Sequence, residues 1–476
     1  MTVADTFTAL LVVGLLLVVA KAVRRRVALF RALFLPSSVL AGILALLLGP
    51  QVTGWAVATF GGPAWLAGGL IPEPVLDVWA ELPVLLISVV FAALFIGKQI
   101  PGLGEIWRKA GPQVALGQTI AWGQYVVGIL LGLVVLTPVF GLDPMAGALI
   151  EIGFEGGHGT AAGLSDTFEE FGFAEGADLA LGLATVGLVA GVLLGTVIVN
   201  WGVRTGRLRL TEGGDPVSSA RDRSADNLEE LDEREPDQPA AEAKSTDPLS
   251  IHIGFVAVGI GLGWVLQQGL VVLEQATWGG ADGFELLVHI PLFPLAMIGG
   301  VVLQLALDRM DRAELVDRRL INRLSGASLD IIIVAALGTL SLEALGGNIG
   351  AFTLLAVAGI VWNVGAFLLL APRIVPDHPY ERGLGDFGQS MGMTVTGLLL
   401  MRIADPANRS GGLEAFGYKQ LMFEPVVGGG LFTAASVPLI AQLGPGWVLA
   451  ITGVALVVWL AVGLLVFGRQ RAGSPA

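Results

Sequence analysis

The sequence predicts an all-α polytopic membrane protein: two inverted five-helix repeats, each with a re-entrant loop, plus one extra C-terminal span. Three observations predict it. Mean hydropathy is +0.76, and only 14% of the 476 residues are charged, where soluble domains carry about a quarter. Two polar, glycine-dense stretches, Gly153 to Thr160 and Gly385 to Thr394, interrupt the apolar sequence at matching places in its two halves. Basic residues also cluster after alternate apolar segments, which fixes an orientation for each half.

A spanning helix needs about 20 mainly apolar residues. That criterion places helices near 4–23, 34–49, 82–98, 113–139 and 178–202 in the first half. In the second half it places them near 251–272, 287–307, 328–345, 351–371 and 421–442, with a further span at 447–467. The interrupted segments, 143–171 and 383–404, each fall between the fourth and fifth helix of a half. Lipid cannot hydrogen-bond a non-helical backbone, so such segments must be buried in protein or line a watery cavity. Paired interruptions in corresponding halves are also the usual sequence mark of a secondary transporter's binding site. The first apolar segment, Phe7 to Val23, has no basic residue before it and no small-residue cleavage site, and reads as a retained helix.

Arg24, Arg25, Arg26 and Arg31 follow the first helix, Lys98, Arg108 and Lys109 the third, and Arg204, Arg207 and Arg209 the fifth. Those ends are expected in the cytoplasm, which puts the N-terminus outside. Arg309 to Arg323, Arg373 with Arg382, and Arg469 with Arg471 mark cytoplasmic ends in the second half and a cytoplasmic C-terminus. An odd number of spans per half makes the halves inverted. The domains read as 1–203, a cytoplasmic linker 204–250, 251–442, and 443–476 with the additional span.

Of the 40 acidic residues behind the net charge of −13, 11 lie between Asp215 and Asp247, where Glu229, Glu230, Asp232, Glu233, Glu235, Asp237 and Glu242 crowd together. The composition is that of a solvated, unstructured segment. An acidic chain whose arginines sit at helix ends offers nothing to a nucleic acid. Zero cysteines exclude disulfides and thiolate metal sites, and four scattered histidines lack zinc-ligand spacing. No nucleophile motif, nucleotide loop or soluble sensor domain supports an enzyme or receptor, and no cofactor is implied.

The candidate site residues lie in the two interruptions. Gly156, Gly157 and Gly159 allow positive φ and close approach of a ligand, or alternatively close packing of helices. Thr160 is placed to N-cap the following half-helix and leave its N–H groups for a carboxylate. His158 reads better as a hydrogen-bonded structural residue than as a proton carrier. Glu151 and Glu155 share a helical face, either as intramembrane cation ligands or proton sites, or as side chains reaching water from a shallow loop. In the second interruption Gly388, Gln389, Ser390, Gly392, Thr394 and Thr396 offer carbonyl and hydroxyl oxygens, hard donors suited to Na⁺, although Ser and Thr also bond back to helical carbonyls. Candidate Na⁺ ligands are Glu155, Thr160, Ser390 and Thr394. Arg402 either pairs with a substrate carboxylate or anchors at the interface beside Asp405. Asp330 and Asn363 are weaker candidates.

The string Gly156-Gly157-His158-Gly159-Thr160-Ala161, followed by Phe171-Gly172-Phe173 and by Ala184 to Gly191, resembles the glutamate:sodium symporter family. So do Leu35 to Gly42 and the second tip, Gly388 to Thr396. The resemblance implies an inverted two-domain fold with two re-entrant loops in the cell membrane. It also implies Na⁺-coupled uptake of L-glutamate and a homodimer in lipid. A Na⁺- or H⁺-coupled carrier of another carboxylate, such as citrate or malate, is the alternative. Glu151, Glu155 and Arg402 depart from the family pattern, where smaller or uncharged residues are expected, and the final span is additional.

Overall fold

A helix of 24 residues rises about 36 Å, enough to cross a bilayer. The computed structural model describes residues 2–32, 35–208, 248–279, 286–406 and 408–468. Among them are ten helices long and apolar enough to cross a membrane. In the first half these are α1 (Val3–Arg26), α2 (Ser37–Phe60), α3 (Glu73–Ala93), α4 (Gly104–Phe140) and, after a broken segment, α8 (Glu175–Arg204). The broken segment carries α5 (Leu149–Phe154), α6 (Gly157–Gly163) and α7 (Ser165–Glu170). The second half runs through α9 (Pro248–Thr277), α10 (Leu292–Arg309), α11 (Arg318–Thr339) and α12 (Ile349–Ile374). Its second broken segment comprises α13 (Pro379–Met391) and α14 (Thr394–Ala404). Then come α15 (Gly412–Phe423), α16 (Leu431–Leu443) and the last span, α17 (Pro445–Phe467). Most of the acidic linker and the C-terminal tail lie outside the described residues.

Local chemistry sets the ends. Thr2 and Asp5 form a reciprocal capping box on α1, and Arg24 to Arg26 occupy its last turn, where cations suit the helix dipole. Asp317 caps α11 through the Arg319 amide, so this helix begins ten residues before the expected 328. Its first residue, Arg318, reaches back to the carbonyls of Ala93, Leu94 and Ile96 and satisfies the C-terminus of α3. Helix α3 likewise starts at Glu73 instead of 82, because Asp77 and Glu81 lower the hydropathy of its first turns without breaking it.

The helices sort into two groups by contact. In one, α1, α2, α3, α9, α10 and α11 pack together. Small residues bring α9 and α10 close: a methyl group on Gly299 would stand 2.0 Å from the Gly259 carbonyl oxygen. In the other, α4, α8 and α12 to α17 surround the broken segments.

The region expected as one span at 421–442 is two short helices. Glu414 pairs with Lys109 near the start of α4 at 3.0 Å, Lys419 lies against Gly117, and the Phe432 ring is 5.1 Å from that of Tyr125. The segment therefore follows α4 along its length and is broken over Glu424–Gly430. Pro425 lacks an N–H, and Gly428 and Gly429 have φ of +72° and +96°, conformations that end a helix. Helix α17 returns along α4, ending with Phe467 packed 5.2 Å from Trp107.

Candidate functional site

Three helix breaks meet inside the second group of helices. In the first, Gly157 has φ +72°, where a side chain is strained. A methyl group on it would be 3.2 Å from the Gly392 carbonyl oxygen and 3.2 Å from Met393 Cγ, so the two glycine tips touch. The third break closes on both sides of the first. A methyl position on Gly428 lies 3.6 Å from Glu155 Cγ, and one on Gly429 lies 2.6 Å from Thr160 Oγ1.

Freed backbone groups at these breaks need partners in protein. The Ser390 carbonyl accepts from Gln124 Nε2 at 2.8 Å and from Asn363 Nδ2 at 2.6 Å, and Gln124 also donates to Asn363. Asn363 therefore holds the second tip. Glu151 Oε1 accepts from the Gly428 amide at 2.8 Å and from Thr433 Oγ1 at 2.9 Å, while Oε2 accepts from Tyr125 at 2.5 Å. Glu151 is thus a clamp between the first and third breaks.

Glu155, one turn on, is different. It is 4% exposed, and neither carboxylate oxygen has a hydrogen-bond partner among the described residues. Thr160 Oγ1 and Ser390 Oγ are likewise buried without partners. The Ser390 hydroxyl bears on the Glu155 carboxylate as a donor, but outside hydrogen-bond geometry, while Lys419, Glu151 and Asp386 act on it through their charge. Three of the four residues expected to bind Na⁺ thus carry buried, unpartnered oxygens at one junction. The fourth, Thr394, is engaged: its hydroxyl accepts from Gln420 at 3.0 Å and lies 3.4 Å from Glu424 Oε1.

Other expected residues separate by position. Thr160 does not cap a helix; Gly156 is the N-cap of the seven-residue α6 and Thr160 lies inside it, because the chain resumes helical geometry directly after Gly157. Thr394 is the first residue of α14. His158 bonds Thr185 in α8 at 3.0 Å, which agrees with its structural reading. Gly159 faces Ile87 and Leu329 of the other helix group. Gly388 packs against Gly397, whose Cα would be 2.7 Å from a methyl there, so it serves hairpin packing. Thr396 is buried, with Oγ1 3.3 Å from the methyl position of Gly392. Gln389 accepts from Lys419 at 2.8 Å. Arg402 occupies the last turn of α14, about 12 Å along the axis from Thr394, and is not brought to the tips. The nearby Asp405 accepts from the Arg409 and Ser410 amides. Asp330 sits in the other group, toward Ser38 and Lys21.

The sequence reading missed Tyr125, Gln124, Lys419, Gln420, Glu424 and Thr433. A signal existed: Glu424 is a charge within the span expected at 421–442 and Lys419 stands just before it, and Gly428-Gly429-Gly430 is a third glycine-dense interruption. A cleft of about 470 Å³ separates the two groups, lined by Ser88, Asp166, Thr167, Gln267 and His289, with His289 paired to Glu170 at 3.0 Å.

Ten helices long and apolar enough to cross a membrane, among the described residues, define a multi-pass membrane protein. A family model described as sodium/glutamate symporter matches residues 81–375, which is more than half of the chain. The chain belongs to the sodium/glutamate symporter family. The match includes the first broken segment and ends before the second. Among relatives, the sodium/glutamate symporters of Escherichia coli (strain K12) and of Shigella flexneri are each 28% identical over 205 residues, 42% of this chain. The chain spans about half the length of these relatives, 45% of each.

Proposed function

We propose that the chain is a secondary-active symporter that couples Na⁺ entry to L-glutamate uptake by alternating access, with no chemical step. One observation carries the reading: the unpartnered, buried oxygens of Glu155, Thr160 and Ser390 at the junction of the helix breaks. Burying such groups without partners is costly, and a small hard cation would satisfy all of them while balancing the Glu155 charge. Family membership and the names of the two relatives favour Na⁺ and glutamate as the pair carried.

In this reading both glycine-tipped segments are re-entrant and enter from opposite faces. Two sets of contacts support the hairpin shape of each segment. Helix α16 touches both the Pro144–Ala148 turn and α7, the two ends of the first segment. For the second, a methyl position on Gly412, after α14, is 3.2 Å from Arg382 Cγ, near the start of α13. The halves are then inverted repeats, with an external N-terminus and a cytoplasmic linker and C-terminus. Helix α14 would direct its free N–H groups at Thr394 to a substrate carboxylate. The cleft beside Asp166 and Ser88 would be the route between the helix groups.

The test is uptake of labelled glutamate into proteoliposomes with Na⁺, K⁺ and H⁺ gradients imposed separately. Concentrative uptake with an inward Na⁺ gradient alone is expected. Uptake driven by H⁺ alone, or of citrate or malate in place of glutamate, would replace this reading with that of another carboxylate carrier.

A further inference from the structure

We infer that Asp386 and Gln389 form a second monovalent-cation site, which the chain fills with its own Lys419, so that α15 supplies a tethered positive charge in place of a second Na⁺. The geometry is that of a cation cage. Lys419 Nζ is 3.0 Å from Asp386 Oδ1 and 2.8 Å from Gln389 Oε1, and it lies 3.7 Å from the centroid of the Phe423 ring. Asp386 and Lys419 have no solvent exposure. The other carboxylate oxygen, Asp386 Oδ2, is buried with no hydrogen-bond partner among the described residues. Helix α4 makes room with Gly117, where a methyl group would stand 2.8 Å from the ammonium and 3.0 Å from Asp386 Oδ1.

Cohesion alone does not account for this pair. A buried ion pair costs in desolvation about what its attraction returns, and an apolar pair of similar volume would join α13 to α15 as well. Its place does account for it. Gln389 directly precedes Ser390, whose hydroxyl belongs to the proposed Na⁺ junction, and Lys419 is among the charges that act on Glu155. The ammonium thus sits one residue from the coupling site, on a helix that runs into the third break. The role in coupling rests on the symport reading; the cation site itself rests on the geometry.

The test uses the purified full-length chain as wild type, Lys419→Met and Lys419→Met with Asp386→Asn. Radioactive Na⁺ bound per chain is measured by equilibrium dialysis. Thermal stability is followed against Na⁺ at constant ionic strength, with choline as the replacement. The expected result is one more Na⁺ bound by Lys419→Met than by wild type, with a steeper rise of stability with Na⁺, and a return to the wild-type count in the double variant. Equal counts and equal Na⁺ dependence in all three would overturn the inference. Failure to recover Lys419→Met even at high Na⁺ would also overturn it, because a site that Na⁺ can fill must be rescued by Na⁺. The wild-type count reads the symport proposal separately: no Na⁺ bound by wild type would sink that proposal, while the difference between variants would still decide the second site.

Discussion

Glu151 and Glu155 lie one helical turn apart, both buried, yet their surroundings are opposite. Glu151 accepts three hydrogen bonds from protein, from Tyr125, Gly428 and Thr433, whereas the oxygens of Glu155 have no such partners. The sequence shows the pair and its shared face but not which one is satisfied, because the three donors to Glu151 come from residues 26 or more positions away. Removing Glu151 strands those donors, and Glu151→Ala is expected to lower unfolding free energy by about 3 kcal/mol. Denaturant unfolding in detergent reads this directly. Stability within about 0.5 kcal/mol of wild type, the range of an uninvolved substitution, would contradict the clamp.

At the scale of elements, the fold is organised by where helices stop. The two glycine tips were legible because Gly156, Gly157 and Gly392 stand among polar neighbours, and Gly157 touches Gly392 across the junction. The third break was not, because the run from Leu421 to Gln442 is apolar enough on average to pass as one span. Averaged hydropathy reports transfer free energy and is blind to Pro425 and to three consecutive glycines. Helix starts shifted for the opposite reason: acidic first turns in α3 and basic ones in α11 are helical but not apolar. Orientation is testable with single cysteines, since the chain has none of its own. Ala64→Cys, between α2 and α3, is expected to react with an impermeant thiol reagent on intact cells. Asn408→Cys, between α14 and α15, is expected to react only after permeabilisation. The reverse pattern would invert the topology.

For the whole molecule, the helix breaks lie in one group of helices and a cleft of about 470 Å³ lies between the groups. Gly159 and Gly163 face Ile87 across that boundary with methyl positions 2.9 and 3.0 Å away, so the first segment rests directly on the neighbouring group. The class of protein was readable from composition and from paired interruptions. The partition into two groups was not, since it depends on which helices contact one another. The central claim is that the orphaned oxygens around Glu155 bind Na⁺, and Glu155→Gln tests it most directly because it keeps the side chain's shape and removes its charge. The measurement is radioactive Na⁺ binding to purified wild type and variant of matched thermal stability. The account predicts saturable Na⁺ binding by wild type and an affinity about tenfold or more weaker in the variant, a loss of about 1.4 kcal/mol or more. Equal Na⁺ affinity in the two proteins would contradict it.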